Sequence, residues 1–186
     1  MSPSTESERT ELAQLLMRTG KHDQQAFAEL YERTSAKLYG VCLRMLRDRS
    51  DADEVLQETW ATVWRRAANF DPDKAGAITW LVTLARNKAI DRLRHHREEQ
   101  LGEPFKLEEI ADADPTPAAD AEASQEYQRL QRCIGALESR QRTAVREAFF
   151  TGATYNQLAT RCNVPLGTMK SWIRRSLLQL RTCLEQ

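Results

Sequence analysis

The chain has 186 residues, 41% of them hydrophobic and 29% charged, with 27 Lys plus Arg balanced by 27 Asp plus Glu. That length suits one or two domains, and the composition allows a buried core. No apolar run approaches the ~18 residues of a membrane span, and the N-terminal MSPSTESERTEL lacks the apolar centre of a signal peptide. Neither a membrane-spanning nor a secreted protein is expected. Four cysteines (Cys42, Cys133, Cys162, Cys183) lie far apart with no C-x-x-C, which indicates neither a zinc site nor a disulfide framework. They read as small buried thiols in a reducing cytoplasm, with a Cys133–Cys183 bridge as the alternative.

The zero balance hides a strong asymmetry. Residues 1–97 carry 16 basic against 14 acidic side chains, residues 98–126 carry 1 against 10, and residues 127–186 carry 10 against 3. A basic terminal block beside an acidic spacer is an electrostatic pattern of nucleic-acid binders.

In chain order, residues 1–23 form an N-terminal segment. Phe27, Leu30, Tyr31, Leu38, Val41, Cys42, Met45 and Leu46 then recur at helical spacing. A polar break follows, with Asp51 as a candidate cap for a helix that turns Val55, Leu56, Trp60, Val63 and Trp64 inward. Asn69–Gly76 is turn chemistry, and a third helix is expected from about Ile78 to Arg97. Residues 98–126, with Pro104, Pro115, Pro117 and ten acids, read as a solvated flexible linker. Helical pattern returns with Tyr127, Leu130, Ile134 and Leu137, then Ala144, Val145, Ala148 and Phe149. Thr154 and Gln157 have capping-box spacing, and Asn163–Pro165 breaks that short helix. The last helix turns Met169, Ile173, Ser176 and Leu180 inward, with Leu177 at the edge. No strand-like alternation stands out. The expected fold is all-α: two small helical domains, residues 24–97 and 127–186, joined by the acidic linker.

Two short helices joined by a tight turn, the second longer and basic, form a helix-turn-helix pattern. Lys170, Arg174 and Arg181 share one side of the second helix, with Ser171 and Arg175 beside them. Such a surface suits phosphates and guanine edges in a major groove.

Three stretches together are more specific: "DADEVLQETWATVWRR" (51–66), "NFDPDKAGAITWLVTLARNKAIDRLRHHR" (69–97) and "YNQLATRCNVPLGTMKSWIRRSLLQLR" (155–181). In order and separation they resemble the core-binding, melting and upstream-reading blocks of the extracytoplasmic-function (ECF) sigma factors. These are the smallest branch of the bacterial sigma-70 family, and the likeness spans roughly 24–97 and 127–183. It implies a region 2 bundle and a region 4 helix-turn-helix, with core RNA polymerase and promoter DNA as partners. In the first block it implies polymerase docking through Asp53, Glu54, Gln57 and Glu58. In the second it implies downstream-element contacts from Phe70, Arg86, Asn87, Lys88, Arg92 and Arg94, with Asn87 reading an unpaired base. An amide suits that task because it donates and accepts against a freed Watson–Crick edge.

In the third block the resemblance implies upstream-element reading by Thr168, Lys170, Ser171, Arg174 and Arg175. Trp172 departs from the family, which usually has a basic or small polar residue there. It either packs over sugar-phosphate or covers the domain's own core. The resemblance also implies an anti-sigma protein as partner, often membrane-bound, and thus a cytoplasmic factor held at the membrane where that partner is. No cofactor, metal or small-molecule substrate is expected, and no constellation of catalytic residues points to an enzyme. A P-loop pattern is absent, so melting would draw on binding energy alone. The competing reading is a helix-turn-helix regulator with an N-terminal sensing or dimerising domain.

Overall fold

A computed structural model describes residues 3–99 and 121–185, and these form two separate units, Met1–Glu103 and Pro104–Gln186. All regular elements among the described residues are helical. The N-terminal unit holds α1 (Pro3–Thr19), α2 (Gln24–Leu46), α3 (Arg49–Arg66), a 3-10 turn (Ala67–Asn69) and α4 (Ala77–Glu99). The C-terminal unit holds α5 (Ala121–Gly135), α6 (Ser139–Phe150), α7 (Tyr155–Arg161) and α8 (Leu166–Glu185).

In the N-terminal unit, α2 is the central helix and packs on α1, α3 and α4. Leu30 and Leu38 of α2, Val55 and Val63 of α3 and Leu81 of α4 are fully buried. The segment before residue 24 is part of this core: Leu12, Leu15 and Leu16 are buried, with Leu16 wholly inaccessible. Each such leucine contributes about 1.5–3 kcal/mol. Buried threonines fit between the helices because each hydroxyl is satisfied locally. Thr19, Thr34 and Thr59 donate to the carbonyl four residues back at 2.9, 2.7 and 2.7 Å. Tyr31, counted above with the apolar face, is 44% exposed and lies over Trp60 at 5.0 Å between ring centres.

Caps set the helix starts. Asp23 accepts from the Ala26 amide at 3.0 Å and holds Arg18 at 2.7 Å. The next cap is Asp48 rather than Asp51: its carboxylate accepts from the Asp51 amide at 2.9 Å, so α3 begins earlier than expected and Asp51 sits inside its first turn. The turn after α1 runs so close to the 3-10 segment that a Cβ on Gly20 would lie 2.7 Å from the Ala68 nitrogen and 2.8 Å from the Ala67 carbonyl carbon. Gly20→Ala should therefore destabilise the N-terminal unit by about 1–3 kcal/mol. Chemical denaturation of the full chain, followed by tryptophan fluorescence, checks this, since Trp60, Trp64 and Trp80 all lie in that unit.

The C-terminal unit packs around Leu158, Met169 and Ile173, with Cys133, Leu137 and Leu180 forming a second cluster. Here the thiol reading fails for two of the four cysteines, and the alternative pairing is found. Cys133 and Cys183 form a disulfide (S–S 2.03 Å, Cα–Cα 5.9 Å) that joins α5 to α8. The two helices lie side by side, which brings together residues that are 50 apart in sequence. Cys42 and Cys162 remain free; burial raises the Cys42 thiol to about 11. Helix α5 starts at Ala121, inside the stretch read as linker, and α4 runs on to Glu99. The rest of the acidic linker, 100–120, lies outside the described residues.

Candidate nucleic-acid interface

Helix α3 carries Asp51, Glu54 and Glu58 at i, i+3 and i+7, a spacing that puts three carboxylates on one side. Helix α4 carries Lys88, Arg92 and His96 at i, i+4 and i+8, and α3 and α4 pack together. The two stripes face each other. Arg92 donates from Nη1 to Asp51 at 3.0 Å and from Nη2 to the Glu54 carboxylate, and its Nη2 lies 3.9 Å from Glu58. Lys88 Nζ reaches Glu58 at 3.1 Å, and His96 Nδ1 lies 3.6 Å from Asp51. The Glu54 hydrogen bond, ahead of the other carboxylates, pushes the Arg92 guanidinium further above its ordinary range. Arg92 is 23% exposed and Asp51 18%, whereas Glu54 and Glu58 are more than half exposed. Single exposed pairs contribute about 0–1 kcal/mol; the sharing of Arg92 among three acids makes this a network.

Sequence reading placed Glu54 and Glu58 on one surface and Lys88 and Arg92 on another, and the fold brings all four together. It separates the other two acidic-helix candidates: Asp53 and Gln57 are exposed and, by helical rotation, lie away from the carboxylate stripe. Of the remaining downstream candidates, Asn87 is exposed and Arg86 half-buried. Arg94 is exposed with a loose contact to Asp91 at 3.9 Å. Phe70 is 8% exposed, packed edge-on against Trp80 at 6.0 Å. Its ring thus pins the 70–76 loop to α4 and presents no open face. Within that loop Lys74 pairs with Asp71 at 2.8 Å and holds its carboxyl below the usual range.

In the C-terminal unit the capping box is complete: the Gln157 side chain accepts from the Thr154 amide at 2.8 Å, and the Thr154 hydroxyl accepts from the Gln157 amide at 3.3 Å. Helix α7 ends at Arg161, and Asn163 turns the chain with φ 51°, a left-handed geometry that asparagine tolerates. Pro165 precedes α8, whose buried face is Met169, Ile173, Ser176 and Leu180, as the spacing indicates. Leu177 is 53% exposed and so is Leu178, which sequence reading did not single out. Trp172 is half-buried and packs on the cluster around Met169, so it covers the domain's own core. With that side fixed, Lys170, Ser171, Arg174 and Arg175 are exposed on the other, and Thr168 is half-buried. Arg175 Nε donates back to the Ser171 carbonyl at 3.4 Å. Arg181 pairs with Glu185 at 2.7 Å and lines the same groove as Lys170 and Arg174.

Residues 30–99 match the family model "Sigma-70 region 2", and residues 127–180 match "Sigma-70, region 4". The ECF RNA polymerase sigma factor SigK of Mycobacterium tuberculosis (strain H37Rv) is 39% identical over 181 residues, 95% of each chain. The chain is an ECF sigma factor of the sigma-70 family. The ECF sigma factor RpoE of Cereibacter sphaeroides is 40% identical to it, covering 94% of this sigma factor and 96% of that one. Among solved structures, Rhodobacter sphaeroides SigE in complex with the anti-sigma ChrR is 39% identical, covers 94% of this chain and 98% of that one, and superposes with a TM-score of 0.47. Sigma factors are transcription initiation factors that bind DNA, and are not enzymes. Helix α1 precedes the region 2 match, which begins at Leu30, yet Leu16 makes it part of this sigma factor's core. Among the described residues no group of His, Cys, Asp and Glu converges as a metal site.

Proposed function

We infer that this sigma factor carries core RNA polymerase to promoters by dividing the work between its two units. The carrying observation is the two-sided character of α8: Met169, Ile173, Ser176 and Leu180 are buried, while Lys170, Ser171, Arg174 and Arg175 are exposed. A helix so fixed offers its basic side to DNA at no cost to its packing. On this reading Thr168, Lys170, Ser171, Arg174 and Arg175 hold the upstream element. The N-terminal unit docks on the polymerase through Asp53, Glu54, Gln57 and Glu58. Asn87 selects an unpaired base of the downstream element, and Arg86, Lys88, Arg92 and Arg94 follow the phosphates. Phe70 supports that site by positioning its loop. The factor works in the bacterial cytoplasm under an anti-sigma protein, at the membrane where that protein is anchored. No helix among the described residues is long and apolar enough to cross a membrane.

Transcription from mapped promoters with purified core polymerase tests the assignment as a whole, and Arg174→Ala and Arg175→Ala test the carrying observation. Each should weaken upstream-element binding without unfolding the unit. A base-reading arginine costs about 1–3 kcal/mol and relaxes preference at one position. A phosphate-only arginine weakens all sequences alike and lowers the salt slope by about one. Parent-like binding by both variants would remove α8 from the DNA interface.

A further inference from the structure

We propose that the N-terminal unit masks its own DNA-binding cations, and that polymerase docking unmasks them by taking over their carboxylate partners. This rests on the reading of α3 as the polymerase surface and α4 as the downstream DNA surface. Lys88 and Arg92, the phosphate-tracking cations, are each bound to an acid on α3: Lys88 to Glu58 at 3.1 Å, Arg92 to Asp51 at 3.0 Å and to Glu54. Glu54 and Glu58 are also two of the four residues that face the polymerase. One pair of carboxylates therefore has two possible sets of basic partners, and it cannot serve both fully.

The exposures make the exchange feasible. Glu54 is 57% and Glu58 52% exposed, so an incoming basic surface can reach them while they still hold Arg92 and Lys88. Pairs this wet are weak enough to exchange. Asp51 is only 18% exposed and stays with Arg92, which keeps that side chain on the α3 side of α4 after Glu54 has turned outward. The freed donors of Arg92 and Lys88 are then open to phosphate oxygens. In the unbound factor these cations are neutralised, which suppresses binding to DNA away from polymerase. Because coupling is reciprocal, whatever removes the internal cations must in turn favour polymerase docking.

That reciprocity supplies the test. Affinity for purified core polymerase, without DNA, is measured for full-length wild type, Arg92→Gln, Lys88→Gln and, as a charge-matched control, Arg9→Gln at an exposed position on α1. Arg92→Gln and Lys88→Gln should each tighten core association by about two- to fivefold, the weight of an exposed pair, and Arg9→Gln should not. Two variants, one at a cation shared among Asp51, Glu54 and Glu58 and one at a cation paired with Glu58 alone, guard against one failing to fold. In parallel, a fluorescein-labelled random-sequence single-stranded DNA is titrated onto the unbound factor across salt concentrations. Glu54→Gln/Glu58→Gln should bind it several-fold more tightly, with a salt slope steeper by about one to one and a half as two cations are released to phosphate. Glu8→Gln/Glu32→Gln removes the same charge from exposed positions on α1 and α2 and should leave the slope as it was.

Unchanged or weaker core association in both Arg92→Gln and Lys88→Gln overturns the proposal, as does an equal DNA effect from the two double variants. A different result marks failure of the underlying functional reading: Glu54→Gln/Glu58→Gln with wild-type core affinity shows that α3 is not the docking surface.

Discussion

Replacing Glu54 and Glu58 by lysine together is expected to lower affinity for core polymerase by more than a hundredfold. Both carboxylates stand over half exposed on α3, where they can meet a basic partner. Reversal exchanges two attractions for two repulsions, and like-charge contact at an interface costs several kcal/mol. The same change also sets new cations beside Arg92 and Lys88, so the paired seam between α3 and α4 is lost. The helix itself should stay folded, because its buried side is Val55, Thr59, Trp60 and Val63 and none of these is touched. Core association measured by a solution binding assay, beside a thermal melt of each variant, separates the two effects. Wild-type core affinity in a folded double variant would exclude this face from the polymerase interface.

Reduction of the Cys133–Cys183 bond is expected to be the largest single loss of stability in the C-terminal unit. The bond closes a loop across 50 residues of sequence and ties the ends of α5 and α8. By the chain-entropy account, opening a loop of that size costs about 4 kcal/mol, a large part of the stability of so small a unit. Cys133 is 3% exposed and packs with Leu137 and Leu180, so the bond lies inside the unit's second cluster. Thermal unfolding of the chain with and without reductant reads this directly, because the other two cysteines are unpaired. The melting temperature of the C-terminal unit should fall by at least ~15 °C on reduction. Cys133→Ala/Cys183→Ala should melt at the lower value and ignore reductant. Equal melting of oxidised and reduced protein would show that packing of Leu137 and Leu180 alone holds α5 on α8.

What could be read in the sequence was what neighbouring residues decide among themselves. The Thr154–Gln157 box is a three-residue signal, and the inner face of α8 is a spacing of three and four; both are found as expected. The match of residues 30–99 and 127–180 to the sigma-70 regions likewise rests on contiguous runs. Features made by distant residues were not legible. Arg92 meets Asp51 and Glu54 across 41 and 38 residues, and no periodicity within α3 or α4 says which stripe will face the other. Two helices with complementary charge at i, i+3 and i+7 and at i, i+4 and i+8 were the available clue, but each was read as a surface on its own. The Cys133–Cys183 pair could be named only as the alternative for the same reason, since spacing in sequence does not show that α5 and α8 lie side by side. Helix α1 was missed differently. Its Leu12, Leu15, Leu16 and Thr19 repeat at helical intervals, but among so many serines and glutamates that one stripe gave residues 1–23 no assignment beyond an N-terminal segment.

The arrangement of α8 also sets how freely promoter preference can diverge. Met169, Trp172, Ile173, Ser176 and Leu180 hold the helix in place, so they are the costly positions to change. Lys170, Ser171, Arg174 and Arg175 hold nothing of the interior, and exchanges there leave the unit within about 0.5 kcal/mol of its stability. Descendants of a duplicated gene could thus acquire new target sequences by drifting at those four positions alone. The placement of Trp172 narrows that path by one: a side chain that roofs the core is no longer available as a letter in the recognition code.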